Sequence, residues 1–241
     1  MSSYRTSHMG AGRGERYDAA HSDKVDAHIW DAFIKDLVSS HIEISAADGG
    51  TRYLDFACGT GRVLKVGAQH YDDCTGIDIS EDMLHVARQR VPDANIICGD
   101  VTTDDLALGE MYDCVTLFRF LLNAERALST DVLRWLANHM PQGAILIGNN
   151  HMNSASIRGI VTILSNRILG TNHNHLSRTN TTDMLQASGF RILGWSGYRV
   201  LPTIKGKPIF GKNGQLAMER VARTLLLGRA GSEQVFIAER T

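Results

Sequence analysis

The sequence predicts an α/β protein: a doubly wound, seven-stranded, mostly parallel sheet with an N-terminal helical cover and a lid inserted after the fifth strand. Three observations carry this reading. Short apolar runs alternate with helical segments at regular spacing through residues 51–148, the pattern of successive βαβ units. The runs do not alternate polar with apolar, so both faces of their sheet are covered. The composition, 241 residues with 43% hydrophobic and 21% charged, is that of a globular chain and excludes disorder, collagen and coiled coil.

Taken in order, Thr51–Ala57 reads as the first strand, followed by a Gly-rich turn and a helix near Arg62–His70. Asp73–Ile79 is the second strand; Ser80-Glu81-Asp82 then caps a helix that runs to about Arg90 and ends at Val91-Pro92. Asn95–Cys98 and Tyr112–Phe118 are the third and fourth strands, Ser129 N-caps a helix to about His139, and Ala144–Gly148 is the fifth strand. Beyond it, Ile157, Ile160, Val161, Leu164 and Ile168 recur at helical spacing and predict an amphipathic helix. A helix near Thr182–Ala187 stops at Gly189, and Ile192–Val200 and Gln234–Glu239 complete the sheet. The expected organisation is a cover over residues 1–48, a core over 49–150, a lid over 151–180 and a completing segment over 181–241, with a basic loop and helix at about 201–228.

Charge divides along the chain. Residues 1–150 hold 13 Lys and Arg against 22 Asp and Glu, whereas residues 151–241 hold 12 against 4. A one-signed region steers ligands of opposite sign, so the last third reads either as the contact for an anionic partner or as a surface facing the acidic part. Cys58, Cys74, Cys98 and Cys114 lie in apolar surroundings without CxxC spacing, which fits reduced thiols. The first residues lack an apolar leader and no run approaches a membrane span, so a cytoplasmic protein is expected.

Chemistry concentrates in Leu54-Asp55-Phe56-Ala57-Cys58-Gly59-Thr60-Gly61. Glycines at a strand-to-helix turn let a ligand approach the backbone and the helix N-terminus. A nicotinamide dinucleotide site needs a third glycine where Leu64 stands. Asp55, just before the turn, suits a cationic ligand better than a pyrophosphate. Asp78 ends the second strand 19 positions after Gly59, where a carboxylate accepts both hydroxyls of a ribose. Gly99-Asp100-Val101 ends the third strand, where Asp100 is placed to accept from an adenine amino group. Taken singly, Asp78 reads as a helix cap and Asp100 as a turn residue; their combination and order point to a nucleoside.

On these residues, and on Tyr112-Asp113-Cys114-Val115-Thr116-Leu117-Phe118-Arg119, the chain resembles the class I S-adenosylmethionine-dependent methyltransferases. One departure is Ala57, where the family places its first glycine. The resemblance implies S-adenosylmethionine as cofactor, with Asp55, Ala57, Gly59 and Gly61 at its methionine end, Asp78 and Ile79 at the ribose, and Met83, Gly99, Asp100 and Val101 around the adenine. It implies that Phe118 and Arg119 face the transferred methyl group and that Tyr17 and His21, in the N-terminal cover, contact donor or acceptor. His151, following the fifth strand, and His21 are candidate bases, although most of the ten histidines must be ordinary surface residues. His173 and His175 suggest metal by their spacing but have no acidic or Cys partner between residues 150 and 180. A metal-free enzyme is therefore expected, methylating oxygen on a small or carrier-attached metabolite with an anionic group that Arg119 grips. The alternatives are an RNA methyltransferase, for which the basic third offers few stacking aromatics, and a non-catalytic donor-binding subunit. The oligomeric state is left open.

Overall fold

In the computed structural model, residues 25–104, 106, 108, 111–170, 175–201, 203–204, 207–208, 211–225 and 227–241 are described. The chain enters through one helical run: α1 (Val25–Ile29), a π-helical turn (Trp30–Ile34) and α2 (Lys35–Ala47). The widened turn lets Phe33 and Ile34 both turn inward, between Ile29 before them and Val38 and Ile42 after them. The βαβ alternation follows with β1 (Arg52–Phe56), α3 (Leu64–Gly67), β2 (Asp73–Asp78), α4 (Glu81–Arg90), β3 (Asn95–Cys98), β4 (Cys114–Leu117), α5 (Arg126–Asn138) and β5 (Ile145–Asn150). Then come α6 (Ile157–Leu169), α7 (Arg178–Ala187), β6 (Phe190–Tyr198), the two-residue strands β7 (Thr203–Ile204) and β8 (Lys207–Pro208), α8 (Gly211–Thr224) and β9 (Glu233–Arg240).

Seven strands form one sheet in the order β3-β2-β1-β4-β5-β9-β6, and β9 alone runs antiparallel to its neighbours. Side chains alternate between two cores. Tyr53, Cys114, Ile147 and Val235 join the core under α1 and α2, whereas Leu54, Val115, Leu146 and Phe236 join the one under α5 and α7. This two-sided burial explains why the strands read as unbroken apolar runs. Strand order reverses between β1 and β4, and the crevice outside the carboxyl ends of strands at such a switch point is where ligands bind in open α/β sheets.

Several boundaries differ from expectation for identifiable reasons. Ser129 does not cap α5: the helix starts at Arg126, and the Ser129 amide already donates to the Glu125 carbonyl, which places Ser129 inside the first turn. Helix α7 starts at Arg178 rather than Thr182, because the Ser177 side chain accepts from the Asn180 amide. Strand β4 stops at Leu117 because Arg119 turns into the left-handed region, with φ of 57°. Cys98 is exposed, unlike the other three cysteines. The apolar stripe of α6 faces solvent, Ile168 being 81% exposed, and Met218 and Val221 of α8 and Leu225 just after it are exposed as well. Among the described residues no helix is long and apolar enough to cross a membrane.

The turn after β1 is strained in one place. Ala57 holds a φ of 56°, a conformation that costs an L-residue about 1–2 kcal/mol and glycine almost nothing. Ala57→Gly should therefore raise the unfolding free energy, by about 0.5–1 kcal/mol once glycine's larger unfolded-state entropy is subtracted. Urea denaturation of the two proteins measures it; a destabilised glycine variant would mean that the turn is not under strain.

Candidate active site

The turn from Ala57 to Gly61 is fixed from two sides. The Gly59 amide donates to Asp78 Oδ2 at 2.9 Å and the Cys58 amide to the Ile77 carbonyl at 3.0 Å, tying the loop to β2. Arg90 of α4 donates to the Thr60 carbonyl at 2.6 Å and to its hydroxyl at 3.0 Å. A side chain on Gly59 would enter open space, where a ligand can approach the backbone, whereas one on Gly61 would meet Ala87 Cβ at 3.1 Å. Gly59 thus serves the cavity and Gly61 the packing of α4.

Above this loop lies a cavity of about 230 Å³ whose walls include Asp55, Ala57, Gly59, Asp78, Met83, Phe118 and Arg119. A smaller hollow of about 30 Å³ shares Ala57 and Asp78 with it and adds Ile79, Gly99, Asp100 and Val101, with Phe120, Leu128 and Val132 as an apolar wall. The two lie side by side, as a nucleoside and its substituent require. Of the residues expected at the site, only Gly61 and His151 among those described line neither space. Tyr17, His21 and His173 lie outside the described residues, and His175 is exposed. None of the described residues from 150–180 or 201–228 lines either space, so the expected lid is not part of these walls.

Asp55 is 1% exposed. Its Oδ1 accepts from the Thr116 hydroxyl at 2.7 Å, and Oδ2 is buried with no hydrogen-bond partner among the described residues. Burial pushes the Asp55 carboxyl up to about 7, against the Thr116 hydroxyl and the Leu64 amide, which lower it. Asp78 is oriented instead by amides, accepting from Gly59 and, at Oδ1, from Ser80 at 2.9 Å. Each carboxylate oxygen has a second lone pair, so these bonds fix the group without exhausting it. Asp100 Oδ1 accepts from the Thr102 amide and hydroxyl, so this residue builds its turn as well as lining the smaller hollow.

The far wall holds groups that sequence reasoning missed. Trp30, from the π-helical turn, sets its ring edge-on to Phe118 at 5.4 Å between centroids and lies under the Arg62 guanidinium. Asn149, Arg199 and Glu233, from β5, the end of β6 and the start of β9, complete it. Asn149 was legible only as a polar residue ending an apolar strand, and nothing local distinguishes Arg199 or Glu233.

The comparisons with known proteins agree with this geometry. Residues 54–143 match the methyltransferase domain family. Over 137 residues, 55% of this chain, the sequence is 34% identical to dTDP-3-amino-3,6-dideoxy-alpha-D-glucopyranose N,N-dimethyltransferase of Streptomyces fradiae, covering 51% of that protein. It is 33% identical over 139 residues, 56% of this chain, to dTDP-3-amino-3,4,6-trideoxy-alpha-D-glucopyranose N,N-dimethyltransferase of Streptomyces venezuelae, again covering 51%. The match thus spans about half the length of these relatives. In structure, the chain is similar to an S-adenosylmethionine-bound amino pentose methyltransferase from Micromonospora echinaspora, with TM-score 0.63, 18% identity and coverage of 94% of this chain and 97% of that one. Residues 54–143 are thus a methyltransferase domain by their match, in a chain whose fold is that of an S-adenosylmethionine-bound methyltransferase.

Proposed function

We propose that this chain transfers a methyl group from S-adenosylmethionine to a small-molecule acceptor in the 230 Å³ cavity. The observation that carries the reading is the buried Asp55 carboxyl, one oxygen of which has no partner among the described residues, in the wall of the same cavity as Gly59 and Asp78. These groups fit the donor: Asp55 its cationic methionine end, Asp78 the ribose, and Asp100 with Met83 the adenine. When bound, S-adenosylmethionine supplies a methyl group on a sulfonium, which needs little more than alignment and exclusion of water. Trp30 and Phe118 supply apolar wall for that exclusion, and Arg119 and Asn149 stand on the acceptor side.

The acceptor we favour is an amine. Glu233 adds a carboxylate to the cavity wall, and the relatives named above methylate amino sugars. An amine that has lost its proton to solvent attacks with its own lone pair, so neither His151 nor His21 is required as base. The second reading is the oxygen acceptor with an anionic group, supported by Arg119 and Arg199 in the same wall. An RNA acceptor has less support, because the last third spends much of its basic charge internally. Arg178 lies over Trp195, Arg223 over Phe33 and Tyr198, Arg191 pairs with Glu239, and Arg240 caps the Ala137 carbonyl. Catalysis without metal and a cytoplasmic location remain part of the proposal.

Donor binding has a proton signature. The folded Asp55 pKa of about 7 exceeds the ordinary 3.8, so this group's contribution to stability is full below about pH 4 and lost as the pH rises towards 7. A cationic donor reverses the effect and expels the proton. Calorimetry at about pH 6 in buffers of different ionisation enthalpy should detect release approaching one proton per site, absent in Asp55→Asn. Binding of S-adenosylhomocysteine should weaken about tenfold or more in Asp78→Ala; a loss under about threefold would remove Asp78 from the ribose contact.

Turnover with dTDP-amino sugars, compared with their hydroxyl counterparts, decides the acceptor atom. Methylation of the amine alone is expected, and methylation of the hydroxyl compound alone would reinstate the oxygen reading. If either acceptor's anionic part is held by Arg119, then Arg119→Ala and Arg119→Lys both raise acceptor KM about tenfold or more, since lysine lacks the planar fork. Retention of full activity after exhaustive chelation completes the metal-free reading; rescue by added Mg²⁺ would overturn it.

A further inference from the structure

The β4–β5 ladder ends at the pair Leu117↔Gly148, and two residues later the backbone does something costly. Arg119 takes φ of 57° without being glycine, a conformation that persists only where its surroundings over-determine it. Those surroundings are visible. The Arg119 amide donates to Asn149 Oδ1 at 2.6 Å, and the Arg119 carbonyl accepts from Asn123 Nδ2 at 2.6 Å. The Asn149 side chain thereby continues, past the ladder's end, the pairing that the backbone has abandoned.

Asn149 is 2% exposed, so its amide group must be fully satisfied inside the protein. Its oxygen is taken by Arg119, which turns its NH₂ towards the Glu233 carboxylate, and Nδ2 donates to Glu233 Oε1. Glu233 is 6% exposed, opens β9 and lines the same cavity as Phe118 and Arg119. Hydrogen bonds to a carboxylate are about twice as strong as neutral ones, so the last strand of the sheet anchors the turn through a single side chain.

We propose that Glu233 and Asn149 are positioning residues for methyl transfer, holding the Phe118–Arg119 turn against the acceptor side of the cavity. The proposal rests on the methyltransferase reading above. Asn149 sets the turn, Glu233 sets the rotamer and polarity of Asn149, and Phe118 keeps its place against Trp30 as a result. The chemistry specifies the partners: the residue at 149 must accept towards Arg119 and donate towards 233, and the residue at 233 must accept.

That polarity can be reversed, which supplies the test. In Asn149→Asp, the oxygen facing Arg119 is kept while a carboxylate confronts Glu233, and the side chain is driven off. Turnover should fall about 100-fold, the scale of an ångström-sized misplacement, while S-adenosylhomocysteine affinity stays within about threefold. Glu233→Gln alone weakens a charged bond to a neutral one and should cost about fivefold. When Asn149→Asp and Glu233→Gln are combined, the amide introduced at position 233 donates to the carboxylate introduced at position 149, and turnover should recover at least about tenfold over Asn149→Asp. Losses that multiply in the double variant, or donor affinity that falls in step with turnover, would overturn the proposal.

Hydrogen exchange at the Arg119 amide reads the same contact with no acceptor present. Protection is expected in the parent and the double variant and lost in Asn149→Asp; equal protection in all three refutes the clamp. A parent protein that binds no donor sinks the functional reading, while the exchange result still decides this one. Should Asn149→Asp fail to fold, Glu233→Ala must show the same pair of effects, lost Arg119 protection and turnover falling with donor affinity unchanged.

Discussion

A carboxylate buried in the middle of the sheet sets the terms for the rest of the molecule. Asp55 points between β1 and β4, at the place where strand order reverses, and is held by a chain of buried hydroxyls. Thr116 has one proton to give and gives it to Asp55, so Tyr53 donates to Thr116 at 2.5 Å. This chain fastens β1 to β4, and it leaves Asp55 Oδ2 buried without a hydrogen-bond partner among the described residues. An apolar residue would pack at lower cost. What burial does is raise the Asp55 carboxyl to about 7, so that it holds its proton further towards neutral pH than an ordinary aspartate.

Strain collects around the same space. The positive-φ residues other than glycine among those described are Ala57, Arg119 and Arg199, and all three line the cavity. They follow β1, β4 and β6, three strands whose ends surround the pocket. Each is kept in place by the layers behind it, the sheet with its two cores. Asn149 and Glu233 are the visible part of that restraint for Arg119. A rim of strained turns on a rigid sheet is an economical way to fix side chains that must meet a ligand.

The basic last third plays a more structural part than its net charge suggests. Arg223 and Arg178 lie on aromatic rings, Arg191 pairs with Glu239, and Arg240 ties β9 to the end of α5. Arg199, 6% exposed, is turned into the cavity. The exposed apolar stripes of α6 and α8 lie outside both cores.

The sequence by itself determined the seven strands of the main sheet, their chain order and most of the cavity wall between Asp55 and Val101. Those features are written locally: Asp55 to Gly61, Asp78 and Gly99 to Val101 each sit at or just beyond the carboxyl end of a strand, and their backbone needs and side-chain chemistry are readable within a few residues. Boundaries were less legible where a competing donor or acceptor intervened, as at Glu125 for α5 and Ser177 for α7. Only the tertiary structure decided the far wall of the cavity. Trp30, Asn149 and Glu233 come from three separate elements and Arg199 from the residue after a fourth, and no spacing in the sequence relates them. The antiparallel insertion of β9 between β5 and β6 carries Glu233 to Asn149, 84 residues earlier in the chain. Such a contact is specified by sheet order, which depends on how two hydrophobic faces are covered at once and not on any local pattern.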